Sequence, residues 1–325
     1  MSKEKLETAR ATTPIHLLIL IDMKTLNQTI SEIMNNGKSL NTKVRELKAL
    51  GLTGWDIENI KKQYVDVLTQ TTRTRIAPFA YTFGVEIEML CNRSSVERGL
   101  TETGVSYNWL GYYTHTNGNA TFDFKTDSSL RADRNTTYGN NPIEMVSPVL
   151  SSEGGLSRLE KACGVLNATG AQVNKTCGLH VHISCSDFTD EQFVNCFVNY
   201  QMLETLIDTW MAPSRRGDNN TYCHTIRSYN FSRCRTPRDI QSVMGNDRYH
   251  KLNPMSWSSH HTVEFRQHHG TTNFAKISHW VKFCAALVGW SKTHVLDHYV
   301  TDINDVPFLT AAEKRWFKTR IEELA

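Results

Sequence analysis

The chain has 325 residues, of which 39% are hydrophobic and 21% charged, so it can form one large domain or two modest ones. Its 36 basic and 33 acidic residues nearly balance, which removes any general electrostatic argument for binding nucleic acid or a membrane. The 8 cysteines contain no Cys-x-x-Cys pair, so a structural zinc site of standard spacing is not supported and reduced thiols are expected.

The apolar run at residues 15–21 is too short to span a bilayer, and no small-residue cleavage site follows it. We therefore expect a cytoplasmic protein, in the host cytoplasm if a phage encodes it.

Residues 1–78 have helical patterning, with helices predicted over residues 14–34, 44–50 and 55–68 and a linker at 69–78. Gly51 separates the second and third helices, and Thr53 is the predicted cap of the third. Helix, short turn and helix is the outline of a helix-turn-helix. On the helix predicted over residues 55–68, only Lys61 and Lys62 would attract phosphates. We predict a separate helical domain over residues 1–78, either a docking module or a nucleic-acid-binding element.

From residue 79 onwards the pattern mixes strands and helices. The predicted strands are residues 82–90, 121–125, 143–147, 179–184 and 262–267, and the predicted helices are residues 155–169, 190–211, 274–299 and 311–324. Residues 92–119 and 218–247 have no readable pattern and are expected to be pocket-lining loops. Separated strands with long helices between them predict an α+β domain over residues 79–325, an antiparallel sheet with helices on one face.

The strand at residues 82–90 alternates apolar residues with Gly84, Glu86 and Glu88, which is the period of a half-buried strand. The two glutamates would project side by side from one sheet face and repel each other. A solvated outer face would tolerate this, and a hard divalent cation would relieve it.

Other predicted strands repeat this arrangement of ionisable and aliphatic residues: His180 with His182, Glu264 with Arg266, and Glu144. Each has a structural explanation of its own, such as a cross-strand ion pair, but together they predict a shared face. Several carboxylates with one or two imidazoles suit Mg²⁺ or Mn²⁺. Arginine side chains near that face would complement a polyphosphate, and the candidates are Arg215, Arg216, Arg248 and Arg266.

Common sequence motifs of nucleotide-binding proteins and of hydrolases do not occur. The sequence has no P-loop, no G-x-G-x-x-G and no G-x-S-x-G nucleophile elbow. Cys177 precedes Gly178 at a strand entrance, where a structural role is favoured over a nucleophilic one.

Seven segments occur in the same order as motifs of the amidoligase family, and over residues 80–290 the chain resembles that family. The segments are Gly84-Val85-Glu86-Ile87-Glu88, Asp127-Ser128-Ser129-Leu130, Glu144-Met145-Val146-Ser147-Pro148, Cys177-Gly178-Leu179-His180-Val181-His182, Pro213-Ser214-Arg215, Arg248-Tyr249-His250-Lys251-Leu252-Asn253 and Glu264-Phe265-Arg266-Gln267-His268-His269-Gly270-Thr271. Residues 1–78 match nothing in the family, and the turn at Asp127 has serine where glycine is frequent.

That family is similar to glutamine synthetase and glutamate-cysteine ligase, which are carboxylate-amine ligases. The resemblance implies a glutamine synthetase-like catalytic domain that holds ATP and Mg²⁺ or Mn²⁺. It also implies ATP-dependent amide formation through an acyl phosphate. Such enzymes occur in bacterial and phage gene sets that modify peptides, proteins or cell-wall components, so carboxylate and amine substrates are the expected partners.

On this resemblance we assign roles to site residues. The predicted metal ligands are Glu86, Glu88, Glu144, His182 and Glu264. The predicted nucleotide-binding residues are Arg215, Arg216, Arg248, Asn253 and Arg266. The predicted catalytic residues are Arg266, Arg215, Asp127 and His180, with His180 either binding a metal or orienting a ligand.

Two alternatives stay open. The same Glu/His face could activate water in a metal-dependent hydrolase that needs no ATP. Residues 41–68 could instead bind nucleic acid, with the larger domain as a partner platform. Assembly into a homo-oligomer is also left open.

Overall fold

The computed structural model describes residues 23–35, 40–63, 79–111 and 120–325. The chain divides into two compact units, Met1–Pro78 and Phe79–Ala325. Several predictions lie outside the described residues: the start of the first helix, the end of the third helix and the linker.

The first unit contains three described helices: α1 (Met23–Asn35), α2 (Leu40–Ala49) and α3 (Gly54–Gln63). Their apolar faces meet in a small core of Leu26, Ile30, Met34, Leu47 and Ile57.

The turn between α2 and α3 follows the prediction. Gly51 has a φ of +81°, and the Thr53 hydroxyl accepts the backbone N–H of Asp56 at 3.2 Å. Helix α2 begins earlier than predicted, and its Lys43 is buried because the ammonium caps the carbonyl of Met34 at 2.6 Å. Lys61 pairs with Glu58 at 2.6 Å, so one of the two lysines expected to attract phosphate is already neutralised.

The second unit is built on one large sheet with helices. Its strands are β1 (Thr82–Cys91), β2 (Tyr107–Trp109), β3 (Phe122–Lys125), β4 (Asn141–Val146), β5 (Leu150–Ser151), β6 (Gly178–Ser184), β7 (Leu252–Asn253) and β8 (Thr262–His269). Its α-helices are α4 (Arg93–Glu102), α5 (Ser152–Ala168), α6 (Asp190–Asp208), α7 (Pro237–Val243), α8 (Ser256–His260), α9 (Phe274–Ser291) and α10 (Ala311–Leu324).

The strand order is β2-β3-β4-β1-β6-β8-β7, and β5 pairs with the start of β1. Every pairing is antiparallel except that of β2 with β3, which is parallel. The predicted α+β architecture with a mostly antiparallel sheet is therefore confirmed. Strand β1 lies in the middle of the sheet, so the Glu86-x-Glu88 segment has neighbouring strands on both sides.

One face of the sheet is apolar and packs on long helices. Phe83, Val85, Ile87 and Met89 of β1 are at most 2% exposed and join a core shared with helices α5, α6 and α9. Burial of this alternate set fixes the register, because a one-residue slip would move every side chain to the other face. The opposite face is therefore free to carry the ionisable residues.

Two stretches expected to be loops contain regular structure, so those predictions are wrong. Helix α4 and strand β2 lie within residues 92–119, and the Asn92 side chain caps α4 by accepting the N–H of Ser95 at 3.0 Å. Helix α7 lies within residues 218–247 and begins after the capping residue Thr236. These caps are local signals that a search for long periodic segments passes over.

Helix α9 is shorter than predicted, because it ends at Ser291 rather than near Tyr299. The side chain of Asn199 on α6 bonds the carbonyl of His294 at 2.9 Å and the N–H of Leu296 at 2.7 Å. These tertiary bonds take backbone groups that would otherwise continue the helix.

All eight cysteines are buried and none forms a disulfide. Among the described helices, none combines the length and the apolar character needed to cross a bilayer.

His269, at the end of β8, is expected to make the stability of the fold depend on pH. His269 accepts the N–H of Ala212 through Nδ1 at 3.2 Å, and burial together with the charges of Lys276 and Arg320 lowers its pKa from 6.5 to about 4. The folded state then binds fewer protons than the unfolded state between these two values, so the free energy of unfolding falls as the pH drops from 6.5 to about 4.

We expect His269→Asn to keep a hydrogen-bond acceptor for the N–H of Ala212 and to remove the titratable imidazole. The loss of unfolding free energy between neutral and acid pH should shrink by about 3 kcal/mol, measured by urea denaturation at several pH values. His298→Asn is the control at an exposed histidine and should change the pH profile much less, because the ion pair of His298 with Asp297 is solvent-exposed. An unchanged profile for His269→Asn would contradict the assignment.

Candidate functional site

Strand register brings the predicted site residues onto one face of the sheet. Directly opposite one another are Glu88 and Glu144, Glu86 and His180, and His182 and Glu264. Opposite residues in antiparallel strands share a face and have Cβ atoms about 4.5–5.5 Å apart. Strands β4, β1, β6 and β8 therefore contribute ionisable groups to one continuous surface.

These side chains form three overlapping groups of potential metal ligands, with the donor atoms of each group within 4.8 Å of one another. The groups are Glu86 with His182 and Glu264, Glu86 with Glu144 and His180, and Glu88 with Asp127 and Glu144. All five predicted metal ligands are among them. His180 and Asp127, which were predicted as catalytic residues, lie in the same groups.

Glu86 connects two of these groups through histidines. Its Oε2 lies 3.0 Å from His180 Nδ1, and its Oε1 lies 3.6 Å from His182 Nε2. Burial alone would raise the pKa of Glu86, but the hydrogen bonds and charges of the two imidazoles hold it well below its usual range. Burial alone would lower the pKa of His182, but the carboxylates of Glu264 and Glu86 raise it.

Glu144 differs from Glu86, because its pKa is raised rather than lowered. Burial and the nearby charge of Glu86 raise its pKa to about 8, although Lys125 Nζ lies only 2.8 Å from its Oε2. Sequence reasoning missed Lys125, but the alternation of Phe122-Asp123-Phe124-Lys125 was the signal that could have placed it here. A carboxyl group with this pKa keeps its proton at neutral pH, and a cation bound beside it would displace that proton.

Several backbone and amide donors fix the carboxylates. The N–H of Gly178 donates to Glu88 Oε2 at 2.5 Å, and Asn253 Nδ2 donates to Glu264 Oε2 at 2.5 Å. Asp127 accepts the N–H of Ser129 at 2.7 Å, which forms the tight turn after β3. Asn253 was predicted to bind nucleotide, and in the structure its amide holds a carboxylate.

Two buried arginines lie beside the carboxylates. Arg266 Nη1 bonds Glu264 at 2.6 Å, and Arg215 Nη2 lies 4.0 Å from Glu88. Arg215 is only 3% exposed, and its buried Nε has no hydrogen-bond partner among the described residues. A buried unpaired N–H is costly, so a ligand oxygen or a water at this position is expected.

The other two predicted arginines differ in position. Arg248 is exposed and lines the cleft. Arg216 does not reach the cleft: its guanidinium bonds the carbonyls of Met211 at 2.8 Å and Leu324 at 2.6 Å. The nucleotide-binding prediction for Arg216 is therefore corrected, because its donors satisfy carbonyls that follow α6 and end α10.

Close backbone approach explains the Cys177-Gly178 segment. A Cβ on Gly178 would lie 2.8 Å from Arg215 Nη2 and 3.1 Å from His180 Nε2, and a Cβ on Gly270 would lie 2.5 Å from Cys177 Cβ. Burial raises the pKa of the Cys177 thiol, so Cys177 is a packed neutral side chain, as expected for a structural residue.

A buried charge network behind the sheet supports the site, and sequence reasoning missed it. Lys251 is fully buried and bonds Glu204 at 2.8 Å and Asp208 at 2.7 Å. Glu204 also accepts the N–H of Ile226 at 2.8 Å, and Asp208 accepts the N–H of Gly217 at 3.0 Å. The network therefore anchors the segments that carry Arg215 and Tyr222. Nothing in sequence spacing distinguishes such a buried lysine from a surface one.

The acidic face forms the floor of a cleft of about 800 Å³. Lys125, Asp127 and Arg131 line one end of it, and Tyr222, Arg248 and Tyr249 line the other. Oxygen donors with one or two imidazoles fit Mg²⁺ or Mn²⁺, and the buried Arg215 and Arg266 fit an anion held beside them. Geometry and donor chemistry are therefore compatible with a metal–polyphosphate ligand.

Gly178 gives the first test of this geometry. We expect Gly178→Ala to displace the Arg215 and His180 side chains and to weaken Mn²⁺ binding by about 10-fold or more, since supporting contacts of metal ligands matter at this level. Electron paramagnetic resonance titration of free Mn²⁺ measures the affinity. Gly164→Ala is the control, because that helical glycine has no atom within 4 Å of an added Cβ. Equal Mn²⁺ affinity in both variants would contradict the close approach at Gly178.

Comparison with known proteins identifies the family to which the chain belongs. The family model described as "putative amidoligase enzyme" matches residues 80–288, and no curated protein matches the chain. A solved bifunctional glutathione synthetase from Pasteurella multocida aligns with a TM-score of 0.37 and 11% identity, covering 76% of this chain and 41% of that one. The chain thus spans less than half of that enzyme, and a TM-score this low supports no argument. The family match covers well over half of the chain, and the chain belongs to the putative amidoligase enzyme family.

Proposed function

We propose that the chain is an ATP-dependent carboxylate-amine ligase with a glutamine synthetase-like catalytic domain. Family membership supports ligase chemistry, and the observation that carries the finer proposal is the set of three overlapping carboxylate–imidazole groups beside two buried arginines. A face of this composition suits a nucleotide whose phosphates are bound with divalent cations.

The reaction explains why positive charge is needed. A carboxylate oxygen would attack the γ-phosphorus of ATP, with ADP leaving and an acyl phosphate forming. An amine nitrogen would then attack the acyl carbon, phosphate would leave, and the nitrogen would lose a proton to a base to give the amide. Attacking carboxylate and phosphate are both anions, and one charge pair at 4 Å repels by about 4 kcal/mol at an effective dielectric constant near 20. The site must offset this repulsion before the first step can occur.

The chain's own residues offset part of it. Arg266 and Arg215 lie beside Glu264 and Glu88, where their guanidinium groups can neutralise phosphate oxygens. The unpaired Nε of Arg215 is a ready donor for one of these oxygens. Arg248 at the cleft end can contact the remaining phosphate charge.

The carboxylates and imidazoles would hold the cations. Glu86, Glu144, His182 and Glu264 supply ligands in two of the groups, with His180 as a ligand or an orienting partner. Glu88 and Asp127 complete the third group with Glu144. Mg²⁺ or Mn²⁺ bound there would neutralise phosphate charge and orient the reacting oxygens.

The substrates proposed are a carboxylate and an amine, at least one of which belongs to a peptide, a protein or a cell-wall component. The cleft is lined mostly by polar and charged groups, which suits a polar substrate better than an apolar one.

Glu88→Gln tests the proposal. We expect the wild-type chain to release ADP and phosphate and to form an amide from carboxylate and amine libraries when Mg²⁺ or Mn²⁺ is present. Glu88→Gln should lower the rate by about 100-fold or more, since even supporting contacts of metal ligands cost 10–100-fold. Mass spectrometry measures the amide, and phosphate release measures the rate.

Glu153→Gln is the matched control, because Glu153 is exposed on α5 and lies outside the cleft. Failure of the wild-type chain to bind nucleotide with either cation would remove the ligase proposal. Hydrolysis of an amide or ester without nucleotide would instead support the metal-dependent hydrolase.

A further inference from the structure

Two tyrosines form one end of the cleft, beyond the acidic floor. Tyr222 and Tyr249 both line the cleft, with ring centroids 5.4 Å apart and ring planes at 74°. Tyr222 is 42% exposed, so part of its ring is open to solvent. An exposed aromatic edge-to-face pair presents ring surface to whatever enters this end of the cleft.

Guanidinium groups complete this aromatic end. The Arg248 guanidinium carbon lies 5.2 Å from the Tyr249 ring centroid, and that of Arg266 lies 5.8 Å from it. Planar guanidinium groups stack on aromatic rings as readily as on nucleobases. The chemistry of this end is therefore suited to a flat, electron-rich ring.

The two tyrosines are held by backbone bonds and by the buried charge network. The N–H of His224 bonds the carbonyl of Tyr249 at 2.8 Å, and the N–H of Lys251 bonds the carbonyl of His224 at 2.9 Å. Lys251 bonds Glu204, which also accepts the N–H of Ile226. The segments carrying Tyr222 and Tyr249 are thus tied to each other and to α6, and the backbone positions of both tyrosines are preorganised.

One residue connects the aromatic end to the acidic floor. Arg266 bonds Glu264 at 2.6 Å through Nη1, directs Nε to the carbonyl of Tyr222 at 3.4 Å, and contacts the Tyr249 ring. A single guanidinium therefore lies between the Tyr249 ring and a carboxylate of the candidate metal groups. A nucleoside triphosphate with its phosphates over Glu264 and Glu86 would direct its base either toward this aromatic end or away from it.

We propose that Tyr222 and Tyr249 form the stacking site for the nucleobase. This inference rests on the proposed function, since it requires the phosphates to lie at the acidic face. Stacking on aromatic rings depends little on base identity, so the site distinguishes a nucleotide from bare polyphosphate more than one base from another.

The experiment compares two ligands that share the phosphate chain. Equilibrium binding of a nonhydrolysable ATP analogue and of inorganic tripolyphosphate is measured on the full chain with Mg²⁺. Tyr222→Ala and Tyr249→Ala should each weaken binding of the ATP analogue by about 5- to 100-fold and change tripolyphosphate affinity by less than about 2-fold. Tyr222→Phe and Tyr249→Phe keep the ring and should retain wild-type affinity.

The control is Tyr138→Ala, because Tyr138 is fully exposed and does not line the cleft. Equal losses for both ligands, or Phe variants as weak as the Ala variants, would overturn the stacking site. Wild-type affinity for tripolyphosphate as high as for the ATP analogue would overturn it while leaving the phosphate site intact. Binding of neither ligand would remove the proposed function as well.

A measurement on the wild-type chain avoids variants that fail to fold. Photolabelling with an azido-adenine nucleotide, followed by peptide mass spectrometry, should place the label on the peptides containing Tyr222 or Tyr249. Competition by the ATP analogue should abolish that label. Labelling confined to other peptides would overturn the proposal.

Discussion

Repulsion among carboxylates is the constraint on which the rest of the site depends. Strand register places Glu86, Glu88, Glu144 and Glu264 on one sheet face, and the last three are at most 6% exposed. Two carboxylate charges 4.8 Å apart, the limit within the candidate groups, repel by about 3 kcal/mol at an effective dielectric constant near 20. Folding can bring these groups together only because the apolar face of the same strands is buried against helices α5, α6 and α9.

The protein's own positively charged groups offset this repulsion to different degrees at different carboxylates. Around Glu86, two imidazoles hold the pKa well below its usual range, whereas the pKa of Glu144 stays at about 8 despite Lys125. Arg215 shows the opposite imbalance, since its buried Nε lacks an acceptor among the described residues. A carboxyl group that a bound cation would deprotonate and a guanidinium donor that lacks an acceptor both fit a site for a cation–polyphosphate ligand.

Much of this arrangement could be predicted from the sequence, because period-two alternation fixes which side chains share a sheet face. Glu86, His180, His182 and Glu264 could be grouped that way before any strand pairing was known. The order of the strands, and thus which carboxylates face each other, depends on long-range pairing that local pattern does not encode. The buried Lys251 network and the true direction of Arg216 likewise depend on helix ends that are distant in sequence.

The supporting shell was harder to predict than the site itself. Glu204 and Asp208 follow the helical periodicity of α6 as ordinary polar positions, yet they anchor the loops carrying Arg215 and Tyr222. Gly178 was predicted as part of a family motif, and its physical reason is visible only in the close approach of Arg215 and His180. Residues that position other side chains are hard to recognise in the sequence, because their partners come from many different helices, strands and loops.

The most direct measurement is a crystal structure with Mn²⁺ and a nonhydrolysable ATP analogue, using anomalous scattering to locate the metal. The account predicts anomalous peaks among Glu86, Glu88, Glu144, His182 and Glu264, about 2.0–2.3 Å from ligand oxygens and nitrogens, with the phosphates beside Arg215 and Arg266. Manganese bound elsewhere, or nucleotide density away from this face, would contradict it.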